Sequence, residues 1–254
     1  MESYAGQITE TFINNLLYIS GVMAEGPNHI GFILDGNRRF AKRLMKKPWE
    51  GHMLGFEKVK KLLGWCSRLG VREMTLYCFS MQNFNRPKEE FDYLMQQFEK
   101  AFNEVAGMDE VHKKRIRIRA IGRKELLPEN VQAAIRKAED ATKDYDDYRL
   151  NIAIAYGGRE EIINAVKRIG RLIEQGKVTD KDIGKELVEK NLYTGDEPDL
   201  IIRTGGERRT SNFLMWQSSY AEWIFIQKMW PEFEEEDLVK CVEDYRQRER
   251  RFGK

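Results

Sequence analysis

Several common chemistries are missing from this 254-residue sequence. Cysteine is scarce: Cys66, Cys78 and Cys241 are odd in number and share no close spacing. That argues against a disulfide framework or a zinc site and for reduced thiols in a cytoplasmic protein. No apolar stretch approaches the roughly 20 residues that span a bilayer. The opening "MESYAGQITE" lacks the basic-then-apolar pattern of a secretory signal. Neither sign of charge dominates, since 43 Lys and Arg face 41 Asp and Glu for a net +2. Any positive patch must therefore be local, and the basic runs 38–47 and 246–251 do not make a general case for nucleic acid. There is no G-x-x-x-x-G-K-[ST] loop, no G-x-G-x-x-G after the first strand, no G-x-S-x-G elbow and no H-E-x-x-H. P-loop, dinucleotide, nucleophile-elbow and zincin readings fall with them. Repeats, low-complexity tracts and Pro/Gly/Ser linkers are absent too, so residues 1–254 are expected to form one domain.

What is present is alternation. β-rich runs occur at 29–35, 73–80, 115–122, 149–156, 199–204 and 222–227. Helical spacing of apolar residues marks 54–69, 88–105, 159–175, 180–191 and 234–250. This pattern predicts an α/β fold: a central, mostly parallel six-stranded sheet flanked by helices. Residues 43–51 and 205–211 are expected to be loops, and the polar stretch 107–115 to lengthen a connection. Residues 12–23 read as an amphipathic segment that packs on the domain or docks on a membrane.

In open parallel sheets ligands bind beyond the carboxyl ends of the strands, so those ends are informative. The first strand delivers Asp35, Gly36, Asn37, Arg38 and Arg39. The second is followed by Ser80, Asn83 and Arg86, the fourth by "YGGRE" (156–160), the fifth by "RTGGERRTS" (203–211), and the sixth begins at Glu222. Arginines fork onto phosphate oxygens, and glycines let backbone N–H groups approach an anion. A carboxylate beside such a cluster suits magnesium, which takes few carboxylates together with phosphate oxygens. Each piece alone could be an ordinary turn or helix cap. Polar clusters at several successive strand ends favour a site for phosphorylated substrates with magnesium at Asp35. Of the histidines, His52 is the candidate, and His29 and His112 read as structural or exposed.

These residues resemble those of the cis-prenyltransferases, from about Asn28 to Lys254. The resemblance is carried by "HIGFILDGNRRFAK" (29–42), "GHMLGF" (51–56), "LYCFSMQNFNRP" (76–87), "AYGGREEI" (155–162), the run 198–225 and "RERRFG" (248–253). The aspartate-rich DDxxD motif of trans-type prenyl synthases is absent. The resemblance implies condensation of isopentenyl diphosphate onto an allylic diphosphate, one cis double bond per cycle. It makes Asp35 the catalytic carboxylate and magnesium ligand, with Glu222 as the second acidic position, linked to the metal or to the isopentenyl site. Gly36, Asn37, Arg38, Arg39, His52 and Arg86 would hold the allylic diphosphate, and Arg203, Arg209 and Ser211 the isopentenyl diphosphate. Asn83 and Ser80 would lie near the reacting carbons. Arg251 and Gly253 would reach into the partner subunit of a homodimer. A hydrophobic tunnel for the growing chain is implied, with Phe56 and Cys78 as wall candidates, and so is contact with a membrane.

Three departures stand out. Pro48 replaces a family arginine, with Lys46 and Lys47 just before it; Arg123 occupies a position that is commonly aspartate; and Phe84 replaces a more frequent tryptophan. A non-catalytic partner subunit on the same fold is the competing reading, and retention of Asp35 with its arginines counts against it.

Overall fold

The computed structural model describes residues 26–248. Six strands, β1 (His29–Ile33), β2 (Glu73–Ser80), β3 (Ile116–Ile121), β4 (Tyr148–Tyr156), β5 (Leu200–Arg203) and β6 (Glu222–Phe225), form one sheet in the order β3-β4-β2-β1-β5-β6. Every pairing is parallel. The helices among the described residues are α1 (Asn37–Arg43), α2 (Glu50–Arg68), α3 (Lys88–Val105), α4 (Asp109–Lys113), α5 (Glu129–Thr142), α6 (Gly158–Glu174), α7 (Lys185–Asn191) and α8 (Glu235–Gln247).

Central strands of a parallel sheet are buried on both faces, and β1 and β5 are buried at every position, with apolar residues at all but His29 and Arg203 at their ends. Alternate residues divide between two cores. Ile30, Phe32, Leu200 and Ile202 join the larger one with Leu62 of α2, Phe98 of α3, Ile135 of α5 and Leu238 of α8. Ile33 and Ile201 turn to a smaller core with Tyr156, Phe213 and Leu214. The pairing of β2 with β4 slips between Tyr77 and Phe79. This bulge brings both Cys78 and Phe79 against the larger core while Tyr77 faces the smaller one.

The expected elements appear with shifted ends, and three helices were not expected: α1, α5 and the short α4, which falls in the stretch 107–115 read as a connection. β1 stops at Ile33 because the chain turns there, the Asp35 N–H donating to the Ile33 carbonyl at 2.9 Å. α1 follows at once from what reads as a turn. α5 buries Val131, Ala134, Ile135 and Ala138, a face whose alanines give little hydrophobic signal. Residues 180–191 split at Gly184 into a short 3₁₀ turn and α7. The expected loop at 43–51 is partly helical. Gly51 lies inside α2, where a β-carbon would overlap the Asn37 carbonyl oxygen, so this glycine serves close packing of α1 on α2. Residues 12–23 lie outside the described residues.

From β1 the chain moves to β2 on one side, whereas β5 joins β1 on the other and passes on to β6. The crevice beyond the carboxyl ends of β1 and β5 is thus the topological switch point of the sheet.

Candidate active site

Asp35 stands at that point. Its backbone carbonyl is held from two directions, by the Trp230 N–H at 2.9 Å and the Thr204 hydroxyl at 2.8 Å. Its carboxylate accepts the Gly36 N–H at 2.7 Å and Arg203 Nη2, from the end of β5, at 2.8 Å. Gly36 has φ +106°, and a β-carbon there would come within 2.7 Å of Met229 Cβ, so both conformation and space require glycine. Arg203 is only 3% exposed. Its Nη1 donates to Ser211 Oγ at 2.7 Å and to the Arg209 carbonyl, while its buried Nε has no protein partner. Arg39, one turn into α1, lies 3.6 Å from Asp35 and donates to the Gly205 carbonyl at 2.6 Å. The buried Oδ1 of Asn37 is likewise unpartnered. Buried polar atoms are normally satisfied, and the unpartnered Arg203 Nε leaves that guanidinium a donor to spare beside the Asp35 carboxylate.

The opposite wall centres on Glu90, whose side chain is 1% exposed. It lies 3.0 Å from Arg86, 3.6 Å from Arg38 and 3.8 Å from His52. The sequence reading did not find Glu90. Its only signal is an i, i+4 spacing from Arg86, a common surface pattern. Its carboxyl is held below the usual range by His52 first, against the opposing effect of burial. Burial depresses His52 below the ordinary histidine value. Arg86 Nη1 faces His52 Nε2 at 3.3 Å. Ser80 ends β2 and Asn83 follows it, the Ser80 N–H donating to Asn83 Oδ1 at 2.9 Å.

Asp35, Asn37, His52, Ser80, Asn83, Arg86, Arg203 and Arg209 line one cavity of about 260 Å³. Gly36, Arg38, Arg39 and Ser211 adjoin it through the contacts above. A second cavity of about 230 Å³ continues between α2, α3 and the sheet, lined by Leu63, Leu76, Phe102, Val105 and Ile152 among others. Phe56, Val59, Cys78 and Phe98 border both cavities. Phe56 and Phe98 meet edge to face with centroids 5.4 Å apart. Burial pushes the Cys78 thiol up to about 12, so it serves as inert wall and not as a nucleophile.

Some expected residues are not brought together. Glu222 pairs in register with Leu200 at the start of β5, whereas Arg203 marks the other end of that strand. The Glu222 carboxylate is bound by Arg248 at 2.7 Å. It therefore lies at the amino end of the sheet, remote from the Asp35 site of its own chain. Arg251 and Gly253 lie outside the described residues. Lys47 is engaged by Glu89 and the Trp49 ring, and neither it nor Lys46 lines the polar cavity. Arg123 pairs locally with Glu125 at 3.1 Å. "YGGRE" does not face the cavity either, because the start of α6 is taken up by the loop around Asn212.

Magnesium needs one or two carboxylates and completes its shell with substrate oxygens and water. A partly exposed Asp35 carboxylate among guanidinium groups fits that requirement as a single protein ligand. Among the described residues no group of three or more His, Cys, Asp or Glu could form an all-protein cage.

Comparison with known proteins agrees with this geometry. The family described as putative undecaprenyl diphosphate synthase matches residues 33–253. A tritrans,polycis-undecaprenyl-diphosphate synthase (geranylgeranyl-diphosphate specific) of Methanocaldococcus jannaschii is 53% identical over 232 residues, 90% of this chain and 83% of that protein. The protein of the same description from Thermoplasma acidophilum is 41% identical over 251 residues, 98% of this chain and 97% of its own. Among solved structures, lavandulyl diphosphate synthase from Lavandula x intermedia in complex with dimethylallyl diphosphate superposes with a TM-score of 0.85 at 37% identity, covering 91% of this chain and 100% of that one. A probable undecaprenyl diphosphate synthase from Campylobacter jejuni gives 0.75 at 33% identity, covering 90% and 99%.

Proposed function

Because the chain belongs to the undecaprenyl diphosphate synthase family of cis-prenyltransferases, we propose that residues 1–254 form a single-domain, magnesium-dependent polyprenyl diphosphate synthase that works as a homodimer. It adds isopentenyl diphosphate repeatedly to an allylic prenyl diphosphate, and each new double bond is cis. One observation carries this reading. A cavity ringed by Asp35, Arg86, Arg203 and Arg209 shares a wall with an apolar cavity, as a substrate with an anionic head and a hydrocarbon tail requires.

In this reading Gly36, Asn37, Arg38, Arg39, His52 and Arg86 receive the allylic diphosphate. Arg203, Arg209 and Ser211 anchor isopentenyl diphosphate, and Arg251 and Gly253 complete that site in a second subunit. The allylic C–O bond breaks, its electron pair leaving with the diphosphate. The isopentenyl double bond supplies the electrons of the new C–C bond, and a proton is then lost to restore the alkene. Prepositioned guanidinium groups stabilise charge on the leaving diphosphate, and a separate anchor for isopentenyl diphosphate aligns the two carbons. Magnesium, when held by Asp35, would further neutralise diphosphate charge. The polar pair Ser80 and Asn83 borders the reacting carbons. The tail runs past Phe56 and Cys78 into the apolar cavity.

The names of the two relatives described above make geranylgeranyl diphosphate the proposed acceptor. α6 leaves Ile163, Val166 and Ile173 exposed along one stripe, which supports burial against a second copy. No helix among the described residues is long and apolar enough to cross a membrane. We place the enzyme in the cytoplasm, handing its apolar product to a membrane surface. The test is incorporation of radiolabelled isopentenyl diphosphate by the purified chain with magnesium. Geranyl, farnesyl and geranylgeranyl diphosphate would be offered in turn, products sized by chromatography and the enzyme's mass measured by light scattering. Incorporation that is greatest with geranylgeranyl diphosphate is expected; none with any acceptor overturns the reading.

A further inference from the structure

The backbone that carries Ser211 is unusual. Ser211, Asn212 and Leu214 have φ of 52°, 63° and 44°, a left-handed region that residues with a β-carbon rarely adopt. Such a turn persists only where its surroundings hold it. This one matters because it sets the Ser211 hydroxyl on Arg203 Nη1 at 2.7 Å, and the same guanidinium reaches Asp35 through Nη2.

Asn212 supplies the hold. Its carbonyl accepts the Gly158 N–H at 2.8 Å, and its side-chain Oδ1 accepts the Arg159 N–H at 2.9 Å. Its Nδ2 donates to Glu160 Oε2 at 3.0 Å. The first N–H groups of a helix have no partner within the helix, so Asn212 satisfies donors of α6 that would otherwise be orphaned. The fit leaves no room at Gly157 and Gly158, where α6 begins. A β-carbon on Gly157 would overlap the Glu160 carboxylate and lie 2.9 Å from Asn212 Nδ2, and one on Gly158 would lie 2.7 Å from Met215 Cγ. From beneath, the Tyr77 hydroxyl donates to the Ser211 carbonyl at 3.2 Å and its ring stacks on Phe213 with centroids 4.8 Å apart. The "YGGRE" and "RTSNF" stretches are thus two halves of one clamp.

We propose that Asn212 is a positioning residue for isopentenyl diphosphate. Pinned to the start of α6 and to Glu160, it fixes the strained turn that presents Ser211 and orients Arg203. This rests on the assignment of Arg203, Arg209 and Ser211 to the isopentenyl site. Asn212 itself touches neither substrate, so its removal misplaces one anchor and leaves the allylic site intact.

The experiment measures KM for each substrate and kcat for the wild type, Asn212→Ala, Asn212→Asp and the double variant Asn212→Asp/Glu160→Gln. Calorimetric binding of isopentenyl diphosphate runs alongside. Asn212→Ala is expected to raise KM for isopentenyl diphosphate about tenfold, the scale of one lost hydrogen-bonded constraint, with KM for the allylic diphosphate within about twofold, because Asn212 shares no hydrogen bond with the residues assigned to that substrate. Asn212→Asp sets two carboxylates face to face. Its KM for isopentenyl diphosphate should be higher at pH 8 than at pH 6, where the pair can share a proton. The double variant reverses donor and acceptor and should bring that KM back toward the wild-type value. If Asn212→Ala does not fold, the comparison of Asn212→Asp with the double variant decides the same question. A wild type that neither binds nor turns over isopentenyl diphosphate overturns the site assignment and the proposal with it. A normal wild type beside variants that raise both KM values equally, or neither, overturns the positioning role alone.

Discussion

Phe56→Ala tests whether the wall between the two cavities governs the product. The ring lies edge to face on Phe98 and borders both spaces. Truncating a fully buried phenylalanine costs about 3–5 kcal/mol. Phe56 is only partly buried, so about 2 kcal/mol is expected here, of which roughly 0.5–1.5 is the aromatic pair. For a chain of this length that lowers Tm by ~4–8 °C. The functional effect is separate from this loss. Without the ring, the polar cavity opens directly into the apolar one, and longer allylic chains should be accepted and longer products released. Phe56→Trp should shorten them. Urea unfolding gives the stability change, and chromatography of labelled products from geranylgeranyl diphosphate gives the length. If stability falls as expected while both variants make the wild-type product distribution, the ring is not on the path of the chain and the tunnel reading is wrong.

Three further outcomes are expected. Asp35→Asn should lower kcat roughly 100-fold or more, the scale of an electrostatic group acting at the reacting centre, and single-turnover rates at saturating substrate would reveal near-normal chemistry if this is wrong. Glu90→Gln leaves Arg86, Arg38 and His52 without their shared countercharge; KM for the allylic diphosphate should change by about tenfold or more while that for isopentenyl diphosphate stays put, and equal shifts in both would contradict the division of the site. Burial lowers His29 to about 4, so only the unfolded chain takes up that proton below pH 6.5, and stability is lost on acidification. Burial, then Asp196, raises Glu73 to about 7, so its contribution runs the other way, falling as pH rises from 4.5 to 7. The two oppose each other between pH 4.5 and 6.5; Glu73→Gln should uncover a slope of about 1 kcal/mol per pH unit, and a curve that stays flat in urea titrations would refute the pairing.

Much of the fold was legible because parallel strands buried on both faces are written as apolar runs, and because α3 and α6 have strong amphipathic patterns. α5 was missed because Ala134 and Ala138 mark its buried face faintly. α1 was missed because Asp35-Gly36-Asn37 reads as a turn, and only the packing of Gly36 on Met229 and of Gly51 on Asn37 shows why a helix starts there. Strand ends exposed the arginines and Asp35, since ligand-facing polar residues interrupt apolar runs. Glu90 stayed hidden because it sits beside Glu89 in the first turn of α3, where acidic residues are ordinary, and gains meaning only from groups brought to it by α1 and α2. Glu222 was misplaced because a residue at the start of a strand reaches the carboxyl-end crevice only if that strand runs antiparallel, whereas β6 pairs in parallel with β5. The work of "YGGRE" was misread for a similar reason: the ligand of that helix start is a side chain 53 residues away.

Strand order has a consequence for how the enzyme is made. Asp35 and Arg203 are 168 residues apart in the chain, yet they lie at the ends of adjacent strands. At ~5–20 residues per second, the ribosome releases Arg203 roughly 10–30 s after Asp35. Through that interval β1, destined for the centre of the sheet, presents an unpaired apolar edge of the kind that recruits other strands. The nascent chain is thus most exposed to misassembly just before it becomes an enzyme, and a chain truncated before β5 would keep its first carboxylate, expose that edge and have no site at all.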